Sequence, residues 1–317
     1  MVEVPVLPRE AAVERRRRPG LGYAMVLSAA TLWAVNGTVS KIILASGLSS
    51  LRLAEARSTG AAVGLVAALA LVRPTSLRVR ARELPFLLVF GVCGLALVQL
   101  FYFFAIHRLK IGIALVIQYL APVLVALWAR FVVREPVRRR IWAALALSLT
   151  GLALIVELWR GVELNGLGVA ASLGAACAFA LYILMAEHAV GGRDPVSIVC
   201  LGFVVATAFW AAVQPWTSFP GHLVAESVSL RGNLAGAHLP VWLLIVWVVV
   251  LGTIVPFGLL VGSLRHIPAT RAGILAMLEP VAGTVVAWAW LGESLGAVQL
   301  TGGAFVLVAI FLAQTAR

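Results

Sequence analysis

Two stretches decide the fold: IALVIQYLAPVLVALWARFVVREP, residues 113–136, and RAGILAMLEPVAGTVVAWAWLGES, residues 271–294. Set 158 positions apart, they place Pro122 on Pro280 and Glu135 on Glu293. Each reads as a long apolar helix with a proline near its middle and a charge at its end. One structural unit has therefore been used twice.

The correspondence extends outward to the starts of the two halves. Gly22 falls opposite Gly168, Trp33 opposite Phe179 and Asn36 opposite Tyr182. The repeat thus spans five helices rather than one hairpin. Five is odd, so the second copy must enter a membrane in the opposite orientation, giving an inverted repeat about a pseudo-twofold axis in the membrane plane. Two halves packed around a site at the midplane can exchange conformations, so that the site faces either side in turn.

Composition agrees with a membrane setting. Hydrophobic residues make up 62% of the 317 positions, charged residues 12%, and the mean hydropathy is +1.02. Apolar runs of about 20 residues, long enough to cross a bilayer, recur from Leu21 almost to the C-terminus. Breaks at charges, Pro and Gly predict helices over 21–44, 51–72, 85–107, 110–132, 141–158, 166–187, 196–216, 240–263, 270–291 and 296–314. The expected organisation is a basic tail over 1–20, a first five-helix repeat over 21–158 and a second over 166–314, an all-α integral membrane protein of ten transmembrane helices.

The net charge of +12 does not point to nucleic acid, because the basic residues sit in short interhelical loops rather than on one face interleaved with aromatics. Their distribution sets orientation instead. With the N-terminus inside, the first three inner segments hold Arg9, Arg15 to Arg18, Arg73, Arg78, Arg80, Arg82, Arg134 and Arg138 to Arg140. The outer segments hold Lys41, Arg52, Arg108, Lys110, Arg160 and Arg231. Both termini are expected in the cytoplasm, and the run Thr217–Leu239 reads as an external loop.

From Gly252 the chain reads GTIVPFGLLVGSLRHIPATRAGILAMLEPVAGTVVAWAWLGESLGAVQLTGGAFVLVAIFL. With its Glu279-Pro280 pair and Gly292-Glu293, this resembles the closing three helices of the EamA-type transporters of the drug/metabolite transporter superfamily, and the resemblance covers nearly the whole chain. Arg57 matches a recurrent family arginine, and YLAP at Tyr119 matches the proline helix. Arg134 stands where the family has Gly before Glu135, and Ala121 where it has Glu before Pro122, so any intramembrane carboxylate chemistry of that helix lies in the second half. The resemblance implies a carrier of amino acids, other metabolites or drug-like compounds in the plasma membrane, working as an exporter or an importer, with export favoured.

Charged groups at membrane depth cost roughly 2.5–3.5 kcal/mol on insertion scales, so they face a bundle interior or a wet cavity. Glu279, beside a proline that frees the carbonyl of Ala276, could bind a cationic group or carry a proton, or simply hold the kink. Glu55 and Arg57 are two residues apart, hence on different sides of a helix. Each needs its own partner, as a gate or by snorkelling to the interface. Trp33, Asn36, Gln99, Tyr102, Gln118, Tyr119 and Tyr182 supply hydrogen-bonding and stacking groups for a small ligand, with interhelical packing as the alternative. Pro122 and Pro280 are the expected kinks.

Gly60-xxx-Gly64 and Gly258-xxx-Gly262 read as close-packing edges. Cys93, Cys177 and Cys200 show no metal or disulfide pattern, and the five histidines form no ligand set, so neither a metal nor a cofactor is expected. Without a GxxxxGK[ST] motif, transport would be gradient-driven or passive, with protons as one candidate partner. The rival reading, an intramembrane enzyme or lipid-handling protein, needs Glu279 to converge with His107 or His266. The sequence is silent on oligomeric state.

Overall fold

The structure is a computed structural model that describes residues 18–109, 111–159 and 165–315. The first seventeen residues of the basic tail, with Lys110 and Arg160, lie outside the described residues. The chain is nearly all helix: α1 Pro19–Leu44, α2 Ser50–Val72, α3 Ala81–Ile106, α4 Gly112–Phe131, α5 Arg139–Ile155, α6 Gly166–Ala189, α7 Pro195–Val213, α8 Val241–Ser263, α9 Ala269–Leu291 and α10 Ala297–Thr315. Among the described residues nine of these are long and apolar enough to cross a membrane. The remaining one, α5, has 17 residues.

Local chemistry explains where the helices start. The Ser49 side chain accepts from Arg52 N–H to cap α2, Asn165 caps α6 through Gly168 N–H, and Asp194 caps α7 through Val196 and Ser197 N–H, with Pro195 following. Ends differ from the sequence expectation by a few residues. α5 stops at Ile155 instead of 158, because Glu157 adopts a left-handed backbone at φ 48. α7 stops at Val213, before Pro215. The stretch expected as a plain loop carries structure of its own: a hairpin pairing Ser227–Ser229 with His238–Pro240, preceded by two short helical turns, Trp216–Ser218 and His222–Ala225.

Helix contacts repeat between the halves. α3 and α8 each contain a π-helical turn, Phe90–Ala96 and Val250–Ile254, positions that the 158-residue offset superimposes. Each turn carries a glycine against which the first helix of the other half packs. A Cβ on Gly94 would meet Tyr182 of α6 at 3.3 Å, and one on Gly252 would meet the Asn36 Cγ of α1 at 2.6 Å. The fifth helices of the halves meet through a reciprocal glycine pair. A Cβ on Gly151 would stand 2.6 Å from the Gly302 carbonyl, and one on Gly302 would stand 2.5 Å from the Gly151 carbonyl. Of the two GxxxG edges, Gly60 and Gly64 lie against Val249 and Ile254 of α8; Gly262 touches Met25, and Gly258 faces open space.

Polar clasps tie the halves at both ends. At the face carrying Arg73 to Glu83, the Arg193 guanidinium donates to Glu83 (2.9 Å), to the carbonyls of Ser76 and Arg78, and to the Ser197 hydroxyl. At the opposite face Arg52 pairs with Glu55 at 2.6 Å, and Arg52 also donates to the Pro215 carbonyl and the Ser218 hydroxyl of the long loop. The hairpin is held to α9 by Trp290 Nε1–H donating to the Leu230 carbonyl and by Asn233 donating to the Ala289 carbonyl.

Two consequences can be measured. Gly302→Ala drives a methyl group into the α5 backbone and lowers the unfolding midpoint in detergent, whereas Gly283→Ala, where nothing lies within 4 Å, does not. The Glu55 side chain is wholly buried and that of Arg52 is 10% exposed. Arg52→Leu therefore strands a charge and costs about 3–5 kcal/mol, while the double change Arg52→Leu/Glu55→Leu recovers most of that loss in the same unfolding assay.

Candidate functional site

Both repeat helices break where their prolines demand it. α4 is interrupted at Tyr119–Leu120, ahead of Pro122, and α9 turns at Met277, ahead of Pro280. Tyr119 and Met277 are equivalent under the 158-residue offset. The breaks bring the two helices together in the interior, where the Tyr119 hydroxyl donates to Glu279 Oε2 at 2.8 Å.

Arg57 reaches the same region from α2. Its Nε–H donates to the Thr253 hydroxyl at 3.1 Å, and its Nη2 lies 3.5 Å from the Gly252 carbonyl, both in the π-helical turn of α8. Thr253 donates its own proton to the Val248 carbonyl at 2.9 Å. The Arg57 guanidinium and the Tyr102 phenol both interact electrostatically with Glu279. Yet among the described residues Arg57 and Glu279 close no salt bridge. Arg57, Tyr102, Gln118 and Glu279 keep partial exposure, while Tyr119 is buried. The amide oxygens of Gln99, one turn before Tyr102, and of Gln118 have no hydrogen-bond partner.

A second group is aromatic. Trp33 of α1 meets Phe257 of α8 edge-on at 5.3 Å, and Phe257 meets Tyr182 of α6 at 5.7 Å. Tyr182 stacks on Phe179 and on Phe90, and is 1% exposed with its hydroxyl unpartnered. Asn36 is buried against Gly252, its Oδ1 unpartnered. The structure therefore brings Arg57, Tyr102, Tyr119 and Glu279 together as a polar group. Trp33, Phe179 and Tyr182 form an aromatic one, joined through Phe257.

Glu55 does not join either group. It faces Arg52 one turn earlier on α2, which satisfies one oxygen and leaves Oε1 without a partner. The sequence does not single out Thr253 or Phe257, and it marks Arg52 only as a charge of an outer segment. Thr253 is one small polar residue in an apolar run, Arg52 sits at a helix start where basic residues are commonplace, and Phe257 is one of 13 phenylalanines.

A cavity of about 1030 Å³ opens at the face carrying Arg73, between α4, α6 and the α8–α9 turn; Trp128, Glu187, His188, Arg265 and Thr270 are among its walls. His266 lies in the α8–α9 turn, while His107 follows the far end of α3, so the two histidines flank opposite ends of the bundle. Among the described residues no group of three or more His, Cys, Asp or Glu could hold a metal ion.

The chain is similar throughout to known membrane transporters. The threonine/homoserine exporter RhtA of Escherichia coli K12 is 29% identical over 279 residues, covering 87% of this chain and 84% of RhtA. The uncharacterized inner membrane transporter YicL of Salmonella typhimurium LT2 is 25% identical over 294 residues, with 92% and 94% covered. A crystal structure at 19% identity superposes with a TM-score of 0.72 over 93% of this chain and 96% of that one, a likeness of fold. The profile of the EamA-like transporter family matches twice, at residues 20–157 and again at 166–315. With both halves matched, the chain belongs to the EamA-like transporter family.

Proposed function

We propose that this protein is a secondary exporter of small polar metabolites, amino acids or close relatives of them, working by alternating access. The observation that carries the reading is the pair Arg57 and Glu279: opposite charges on spanning helices of the two halves, hydrogen-bonded to Thr253 and Tyr119 respectively and not to one another. Each charge costs roughly 2.5–3.5 kcal/mol to place mid-membrane on insertion scales. A merely structural pair would recover that cost by closing, and this one is held apart. Trp33, Asn36, Gln99, Tyr102, Gln118, Tyr119 and Tyr182 form the surroundings in which a solute bound at this pair would sit.

The architecture proposed with it is ten transmembrane helices in two inverted five-helix repeats, 21–158 and 166–314. Three observations support it: the family profile matching once per half, the π-helical turns at repeat-equivalent positions, and the reciprocal glycine contacts of α5 with α10. The breaks ahead of Pro122 and Pro280 are the points at which α4 and α9 would flex. Outward direction and amino-acid-like cargo are supported by the likeness to RhtA, a threonine/homoserine exporter. That the relatives are named as transporters, and that Glu279 is hydrogen-bonded to Tyr119 and to neither His107 nor His266 among the described residues, favours the carrier over an intramembrane enzyme.

Glu279→Gln keeps the shape of the side chain and removes its charge. In proteoliposomes it is expected to lower uptake or efflux of the transported amino acid at least tenfold; flux equal to the unaltered protein would refute the role of the carboxylate. The proposed orientation puts the 217–239 loop outside and both termini inside. Cysteine introduced at Ser229 should then react with a membrane-impermeant maleimide in intact cells, whereas cysteine at Arg140 should react only after lysis.

A further inference from the structure

Opposite charges within electrostatic reach attract more strongly in a protein interior than in bulk water. Arg57 and Glu279 nonetheless stay apart, and the reason lies on α8. Thr253 is wholly buried in the π-helical turn. That turn leaves the Val248 carbonyl, five residues earlier, to accept the Thr253 hydroxyl proton at 2.9 Å. With its proton committed there, the hydroxyl offers Arg57 only its lone pairs, and takes the Nε–H at 3.1 Å. The Gly252 carbonyl lies beside it, 3.5 Å from Nη2. Glu279 is held from its own side by the Tyr119 hydroxyl on Oε2.

Each charge is thus anchored on one edge and open on the other. Among the described residues no hydrogen bond engages Arg57 Nη1 or Glu279 Oε1, and both side chains keep partial exposure. A lone amine entering between them would answer Glu279 and leave the guanidinium uncompensated. A lone carboxylate would do the reverse. Only a compact body carrying both charges completes the two edges together, and charge-assisted hydrogen bonds of that kind are the strong ones.

We infer that Thr253 is the positioning residue that holds Arg57 open against Glu279, so that the pair selects a zwitterion, with the substrate carboxylate on Arg57 and its ammonium group on Glu279. The inference rests on the carrier reading above and deepens it: it assigns which end of the cargo meets which half, and why the slot exists when empty. Thr253 acts through Arg57 and need not touch the cargo.

The test uses the full chain purified in detergent and three probes followed by calorimetry: threonine, 1-aminopropan-2-ol, which lacks the carboxylate, and 3-hydroxybutyrate, which lacks the amine. The unaltered protein should prefer threonine to either analogue by about tenfold or more, the effect of one charge-assisted contact. Arg57→Gln and Thr253→Val should each erase the preference over 1-aminopropan-2-ol. The double variant should do no worse than either, since both changes disable one device. Thr253→Ser, which restores the hydroxyl, should recover the preference, and Thr253→Ala serves if the valine variant does not fold. A wild-type preference in Thr253→Val, or losses that add in the double variant, would overturn the positioning role while leaving the carrier reading intact. Threonine binding that survives Arg57→Gln but is lost in Glu279→Gln would overturn the zwitterion assignment alone. Failure of the unaltered protein to bind any of the three would overturn the amino-acid carrier reading, and this inference with it.

Discussion

A bilayer offers no hydrogen-bond partner to a peptide group, so backbone that departs from the α-helix is tolerated only where protein or a wet cavity answers it. Most departures within the long helices here come in pairs; a further π-helical segment, Ala287–Leu291, ends α9 alone among the described residues. α4 and α9 break ahead of their prolines, and α3 and α8 each take a π-helical turn. These irregular segments surround the one region where a guanidinium, a carboxylate and two tyrosine hydroxyls meet. The carbonyls and widened turns that would be liabilities against lipid are therefore spent on positioning side chains. The clearest instance is Val248, whose carbonyl fixes the Thr253 hydroxyl and through it Arg57.

Glycine does the complementary task of letting one half approach the other. At Gly94 and Gly252 the bulged helices accept Tyr182 and Asn36, residues that the repeat places in register. At Gly151 and Gly302 the backbones themselves touch. Because lipid tails are as apolar as leucine, helix association in a membrane relies on such close packing rather than on apolar burial. Contacts that recur in swapped form cost about the same when the halves exchange shapes, which is what alternating access requires of a scaffold.

The sequence carried the architecture further than the chemistry. Apolar runs separated by arginine clusters located the helices to within a few residues, and the 158-residue offset paired Pro122 with Pro280 before any coordinates. Glu279, Arg57, Tyr102 and Tyr119 were singled out because polar groups are rare at that depth, and the structure brings those four together. What periodicity could not reveal is partnership. Arg57 had no visible reason to choose Thr253, since that bond spans 196 positions and depends on a π-helical turn with no sequence signature. Tyr182 looked like Tyr119, yet neighbouring rings enclose it on every described side. The small hairpin at 227–240 escaped because three-residue strands are too short for alternation to register.

The two faces are clasped by different chemistry, and the difference bears on how the proposed cycle would run. At the Arg73 face the Arg193 guanidinium spends its donors on one carboxylate, two carbonyls and a hydroxyl, joining the α6–α7 turn to the α2–α3 segment. Most of those bonds are to neutral acceptors that water can replace, so release there exchanges one set of hydrogen bonds for another. At the opposite face the clasp is the buried Arg52–Glu55 pair under the Pro215–Phe219 segment, with Phe219 near the guanidinium at 6.0 Å. Opening that side need not break the buried ion pair, because both partners lie on α2 and move together; the loop contacts through Pro215 and Ser218 and the exposed Lys41–Glu293 pair are the ones that would yield. Placing both charges on one helix keeps the costly separation of a buried pair out of the transport cycle and leaves the inexpensive contacts to do the opening.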